Sequence, residues 1–323
     1  MVSKEDAESR ENDKNLQQGE GDDRVSLVRI IKIYRRAYSN WFSVLYHMFR
    51  VRSEVEDKSN IKVKVILRGT NETVEAPYKV VDAYAVAKSI QNPRIHDLTI
   101  DKNLLCLSYE NYNLKFDLGN GGDIFAPLFN EEYNFLTVKG VNVVDIGANL
   151  GGSAIFFAIK GARKVISLEP YPYTFGLATK NISSSGFKDK IEIINAGYGE
   201  DKKIKIDTSF IPDNGSDLRE SENGPDINLY SLKTLMNKYN IDSGILKMDC
   251  EGCEYNLLNE DDETIKKFTM IQIEYHYGYE KLVDKLKECG FTVKYTEPKE
   301  SYNTSAGKTM MIGYIYAERQ PVK

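Results

Sequence analysis

Cysteine is scarce in this sequence. Four stand among 323 residues, at Cys106, Cys250, Cys253 and Cys289. A chain this long with so few is not a disulfide framework. A reducing interior, and with it a cytoplasmic location, is the simpler expectation. Only Cys250 and Cys253 are close in sequence. A structural zinc site usually takes four ligands, most often from two such pairs, so no metal is expected on these thiols. Long apolar runs are missing too. No stretch of 18 uncharged apolar residues occurs, so no helix is expected to span a membrane. The first 24 residues have no apolar h-region and do not read as a secretory signal. They hold eight acids and four bases with almost no large apolar side chains, a composition that predicts a disordered tail. Positive charge in excess is also lacking. The net charge of -5 disfavours nonspecific nucleic-acid binding as a function.

One segment lacks acids instead. Residues 25–52, "VSLVRIIKIYRRAYSNWFSVLYHMFRVR", are rich in bases. Val28, Ile31, Tyr34, Tyr38, Phe42, Leu45 and Phe49 recur at helical spacing, which predicts a basic amphipathic helix. Its apolar stripe is expected to pack on its own domain. The alternative is peripheral contact with an anionic membrane.

What is present is a chain of two textures. The expected division is a tail over 1–24, the basic helix over 25–55, an accessory α+β region over 56–130 and a larger domain over 131–323. In the accessory region "IKVKVIL" alternates like a strand, "VVDAYAVAKSI" reads as a helix and "LLCLSYENYNLKFDL" as a hairpin turning near Glu110 and Asn111. From 131 the rhythm becomes strand, helix, strand, helix. "VNVVDIG", "KVISLEP", "KIEIINAG", "GILKMDCEG" and "MIQIEYH" are apolar strands with helical segments between the early ones. That pattern predicts a mostly parallel sheet covered on both faces. "FTVKY" and "TMMIGYIYAE" are separated only by a polar loop, so this last pair should be antiparallel.

The stretch "VVDIGANLGG", Val143–Gly152, ends a strand in a glycine-rich turn. In open α/β sheets ligands bind beyond the carboxyl ends of the strands. Glu169 ends the next strand 22 positions after Gly147, close to the spacing of about 20 for an acid that takes ribose hydroxyls. Two cofactors fit this logic. A dinucleotide wants glycine at the middle of the turn, where Asn149 stands, and gains nothing from Asp145 beside its phosphates. S-adenosylmethionine has no phosphate and carries two positive groups, so an acid beside the turn is favourable. S-adenosylmethionine is therefore the expected cofactor. Asn149 and Gly151 should shape its methionine side and Asp145 should help hold its amino group. Glu169 and Pro170 should meet the ribose, and Ala196 and Gly197 the adenine.

These elements resemble the seven-stranded, Rossmann-like sheet of S-adenosylmethionine-dependent methyltransferases, whose last strand is reversed. The run "VVDIGANLGGSAIFFAIKGARKVISLEPYPYTFGLATKNI", then "ILKMDCEGCEYNLL" and "IQIEYH", is similar to the FkbM family. That family's K-x-D-x-E-G-x-E pattern is matched by Lys247, Asp249, Glu251, Gly252 and Glu254. Cys250 and Cys253 stand where the family often has small apolar residues. The resemblance covers roughly 120–318 and implies O-methylation of a hydroxyl on a sugar, a glycan or a small natural product.

Methyl transfer to oxygen needs an oriented acceptor and a route for its proton. The expected catalytic residues are Asp249, Glu251 and His276, at or just beyond the ends of the fourth and fifth strands, with Glu274 a further candidate. Each also has a structural reading: a capping acid, a partner for Lys247, a hydrogen-bonded wall. A divalent cation between Asp249 and a neighbouring acid is left open, and no metal ligand is assigned. The insertion "PDNGSDLRE" (Pro212–Glu220) reads either as a flap over the acceptor or as a solvated turn. The rival functions are a tRNA methyltransferase using the basic segment, an NAD-dependent oxidoreductase, and a non-catalytic S-adenosylmethionine-binding module.

Overall fold

The computed structural model describes residues 27–54, 61–119, 124–209, 218–303 and 308–319. The expected tail over 1–24 and most of the Pro212–Glu220 insertion lie outside these residues. The basic segment is two helices, α1 (Leu27–Ala37) and α2 (Trp41–Glu54), where one was expected. The break falls at Ser39 and Asn40. Asn40 leaves the helix to bond the neighbouring strand, accepting from the Ile66 amide and donating to the Lys64 carbonyl. This break shifts the helical phase, so the expected stripe divides. Tyr34, Tyr38 and Leu45 are buried, whereas Val28, Phe42 and Phe49 face outward.

Next come β1 (Lys62–Ile66) and β2 (Thr73–Pro77), an antiparallel pair, and α3 (Tyr78–Ser89). Strands β3 (Ile95–Asp101), β4 (Leu104–Tyr109) and β5 (Tyr112–Asp117) form a separate antiparallel sheet. The β4–β5 hairpin turns at Glu110, whose left-handed φ of 51° is one that Asn, Asp and Gly adopt more readily.

The main sheet begins with β6 (Asn142–Ile146). It is followed by α4 (Gly152–Ile159), β7 (Lys164–Leu168), α5 (Pro172–Ser184) and β8 (Ile191–Ile194). The expected third strand does not continue past Ile194. The Asn195 side chain donates to the carbonyls of Glu169 and Pro170, and the chain beyond it turns into a second sheet. There β9 (Ala196–Tyr198) pairs with β11 (Asp226–Tyr230), which also pairs with β10 (Lys202–Lys205). The chain returns through α6 (Leu232–Lys238), β12 (Gly244–Met248), α7 (Asp262–Ile265), β13 (Phe268–Tyr275), α8 (Glu280–Glu288) and β14 (Thr292–Tyr295). It closes with β15 (Lys299–Asn303) and β16 (Lys308–Glu318).

Seven strands run in the order β14-β16-β13-β12-β6-β7-β8. β16 is antiparallel to both its neighbours, so a reversed strand is inserted between two that run with the rest. The linker expected as a polar loop contains β15, which pairs with the first part of β16. Order reverses between β6 and β12, and the crevice above their carboxyl ends is where this topology binds ligands.

Helix α4 explains how the accessory strands attach. All eight of its residues are buried, and a helix apolar all round must be covered on every side. The sheet covers one side. Tyr109 and Tyr133 cover another, their rings 6.4 and 6.5 Å from that of Phe156. Burying a phenylalanine in such a seam is worth about 1.5–3 kcal/mol. One apolar cluster accordingly runs from Tyr34 to Ile245 without a gap. Asn181 of α5 adds a polar clamp, bonding both the amide and the carbonyl of Asp117. Among the described residues, no helix is long and apolar enough to cross a membrane.

Candidate active site

A cavity of about 420 Å³ opens at the carboxyl ends of β6, β7, β12 and β13. The glycine turn forms one wall. Gly147 has φ 82°, and a Cβ there would overlap the Asp249 carbonyl oxygen, so the ends of β6 and β12 meet only because this residue has no side chain. Asn149 is also left-handed, at φ 47°. Its amide donates to Glu169 Oε2 at 3.0 Å, and the Tyr171 amide donates to Oε1 at 3.1 Å. The carboxyl that ends β7 is thus fixed against the turn. Glu169 is buried, and burial raises its pKa to about 8 against the pull of those two amides.

Gly147, Asn149, Glu169, Pro170, Ala196 and Gly197 all line the cavity. Asp145 and Gly151 do not. Asp145 is fully buried beneath the turn. Its Oδ2 accepts from the Ser153 and Ser167 hydroxyls at 2.9 and 3.0 Å, and its Oδ1 lies 3.3 Å from Lys247 Nζ. The side chain expected to hold an amino group of the ligand is therefore held inside the protein. Gly151 instead packs under α5, where a Cβ would press on Ile182.

The opposite wall carries the K-x-D-x-E-G-x-E residues. Lys247 is buried and donates to the carbonyls of Ile146 and Gly147 at 3.3 and 2.7 Å. Burial works against its charge, but Asp145 and Asp249 outweigh that and keep its pKa above the ordinary value. Its cation ties the turn to β12. Asp249 follows β12 with 28 % of its side chain exposed and Oδ2 4.0 Å from Lys247. The Tyr133 hydroxyl lies 3.4 Å from the same oxygen.

His276, at the end of β13, is 1 % exposed. Glu254 Oε1 accepts from its amide at 3.0 Å and from Nδ1 at 2.9 Å. Glu251 Oε2 stands 3.3 Å from Nε2. Burial disfavours the imidazolium, but Glu254 first and Glu251 next overcome it, lifting the pKa to about 10. His276 is a cation at neutral pH, so it offers a proton and cannot accept one. The two carboxylates on its ring nitrogens favour the protonated form, against the base role expected of it. Glu274, on the same strand, is pushed up to about 9 by burial and by the nearby Asp249 carboxylate. It is a neutral carboxyl at neutral pH.

The three residues expected to be catalytic are brought together. One ligand atom each from Asp249, Glu251 and His276 lies within 4.8 Å of the others. These atoms would suit a divalent cation only with the His276 ring deprotonated, and the sequence assigned no metal ligand here. A second correction concerns sulfur. Cys250 and Cys253, expected as free thiols, are joined in a disulfide on the turn between Asp249 and Glu254. Three letters apart on a tight turn, their Cα atoms are 5.5 Å apart, within disulfide reach. Cys106 and Cys289 are free and buried.

Several lining residues carry no sequence signal. Tyr133 precedes β6 in a stretch without a motif. Tyr302, Met310 and Ile312 come from the β15–β16 hairpin, which read as a polar loop and the far half of an outer strand. Glu254 belongs to the motif, but its role as the anchor of His276 depends on a contact 22 residues away.

The sheet order and the reversed strand define a Rossmann-like α/β domain with its cleft at the carboxyl ends of the strands. The family model described as the methyltransferase FkbM domain matches residues 145–293. Uncharacterized protein 158B of Sulfolobus islandicus rod-shaped virus 1 is 29% identical over 167 residues, which are 51% of this chain and 79% of that protein. Among solved structures, an rRNA methylase from Streptococcus thermophilus overlaps 60% of this chain and 96% of its own at 14% identity, with a TM-score of 0.37. The M. jannaschii tRNA m1G37 methyltransferase overlaps 70% and 60%, at 14% identity and a TM-score of 0.38.

Proposed function

We propose that the cleft binds S-adenosylmethionine and that the protein methylates a hydroxyl on a sugar, a glycan or a small natural product. The observation that carries this reading is the charge of the cleft. Glu169, Asp249, Glu251 and Glu274 line it, while Lys247 is the one lysine or arginine among the described lining residues. Lys247 is already engaged by Asp145 and Asp249. The other cation of the lining, the His276 imidazolium, is held by Glu254 and Glu251, so a ligand with phosphates finds both cations already engaged, whereas one with a sulfonium and an ammonium finds the Asp249 and Glu251 carboxylates.

In this reading Glu169 receives the ribose hydroxyls. Asn149 and the Gly147 turn border the methionine portion, and Ala196 and Gly197 border the adenine. When bound, the cofactor supplies a methyl carbon already activated by a neutral thioether leaving group. The protein's own work is to orient the acceptor and manage its proton. Asp249 is the part-exposed carboxylate between Lys247 and the acid cluster, and it takes the hydroxyl proton. His276, fixed by Glu254, places a positive charge on the acceptor side of the cleft. Glu251 orients that imidazolium. Proximity can account for roughly 7–11 kcal/mol of the barrier and a base for about 10²–10⁴-fold more.

The test is a screen of hydroxyl-bearing sugars and glycans with S-adenosylmethionine labelled in its methyl group. Label should enter an alkali-stable ether, and Asp249→Asn should suppress it. Label appearing only in RNA, or in no acceptor while the cofactor binds, would overturn the proposed substrate class.

A further inference from the structure

We propose that α1 and α2 dock the protein on an anionic lipid surface. Helix α2 has two apolar faces. Val44, Leu45, Met48 and Val51 are buried against the domain. On the opposite side Phe42, Tyr46 and Phe49 follow at i, i+4 and i+7 and are 73%, 60% and 47% exposed. Helix α1 adds Leu27 and Val28, 57% and 60% exposed. The remaining exposed large apolar side chains of the described residues are all tyrosines, which keep a hydroxyl in water. Exposed leucine, valine and phenylalanine are thus confined to these two helices, and such concentration marks a binding surface.

The charge of the segment selects the occupant. Residues 27–53 contain Arg29, Lys32, Arg35, Arg36, Arg50 and Arg52 and not one acid, in a chain of net charge -5. Lys32, Arg35 and Arg36 are exposed and share the outward side of α1 with Val28. Two copies of such a face would repel each other. An anionic headgroup layer would attract it, with bases at the phosphates and aromatic rings at the acyl boundary. Neither helix can cross a bilayer, so the contact is with the surface. This inference does not depend on what the cleft methylates.

The test is co-sedimentation of the full chain with vesicles of phosphatidylcholine alone or with about one third phosphatidylglycerol. The protein should pellet with the anionic vesicles only, and be released at about 0.5 M salt, where the Debye length is a few ångströms. Arg35→Ala with Arg36→Ala should weaken binding about 30-fold. Phe42→Ser, Tyr46→Ser and Phe49→Ser together should abolish it, with circular dichroism confirming that the variant is folded. Should the triple variant misfold, the arginine pair still decides. No pelleting with anionic vesicles, or pelleting that neither variant changes, would overturn the proposal. So would a dimer that the serine variant disperses, or retention on RNA in place of vesicles.

Discussion

Replacing Glu254 with glutamine isolates the contact on which the His276 wall of the cleft depends. Glu254 is fully buried and serves three amide or imidazole donors: the His276 amide and Nδ1 on Oε1, and the Gly252 amide on Oε2 at 2.9 Å. Glutamine keeps the shape. Its NH₂ group must then face either Gly252 N–H or the imidazolium, so a buried donor is orphaned, and the negative charge is gone. Removing one partner of a buried ion pair costs about 3–5 kcal/mol. The titration of His276 gives a second route to that size. A folded value of about 10 against about 6.5 free corresponds to roughly 5 kcal/mol of preference for the charged form. A Tm loss of roughly 10 °C follows at neutral pH. The sign against pH is fixed. A raised histidine pKa contributes stability that is complete below about 6.5, declines above it and is gone once pH passes about 10. The gap between wild type and Glu254→Gln, followed by circular dichroism at several pH values, should therefore narrow between pH 7 and 10.5. An unchanged Tm at pH 7, or a gap that does not vary with pH, would refute the assignment of His276 as a Glu254-held imidazolium.

Three further outcomes are expected. Wild-type stability should fall as pH rises from about 4.5 towards about 8 and about 9, beyond what His276 alone contributes, because Glu169 and Glu274 keep their protons in the fold up to those values while the unfolded carboxyls have already ionised; a flat urea midpoint from pH 5 to 9 would contradict this. Asp249→Asn should lower kcat by about 10²–10⁴-fold while leaving calorimetric cofactor affinity within a few-fold, and a variant of undiminished kcat would remove Asp249 from the proton path. Gly147→Ala should cost more than about 1–2 kcal/mol, because a methyl group there overlaps the Asp249 carbonyl; an alanine variant of wild-type Tm would refute the close approach of β6 and β12.

The sheet was legible because its strands are short apolar runs punctuated by glycine, and because the linker between β14 and β16 is too short for a helix. The place of Glu169 at the end of β7, lining the cleft, was legible by spacing alone. What escaped depended on partners remote in sequence. Asp145 looks like a ligand-facing acid in a one-dimensional reading, and only Ser153, Ser167 and Lys247 converging on it reveal an internal anchor. His276 looks like a base until Glu254 and Glu251 are found on its two nitrogens. The basic segment looked like one helix because Ser39 and Asn40 are weak helix breakers, and the break comes from the bonds Asn40 makes to β1. The disulfide was missed because composition speaks to frameworks and not to a single CEGC turn.

Calorimetric titration with S-adenosylmethionine and, separately, with NAD, on the wild type and on Glu169→Ala, tests the central claim most directly. The predicted result is binding of S-adenosylmethionine alone, weakened at least about tenfold by loss of the ribose contact. Its wild-type affinity should rise as pH passes about 8, where the Glu169 carboxyl ionises, and the alanine variant should lack that rise. Binding of NAD instead, or S-adenosylmethionine affinity indifferent to Glu169, would contradict the account.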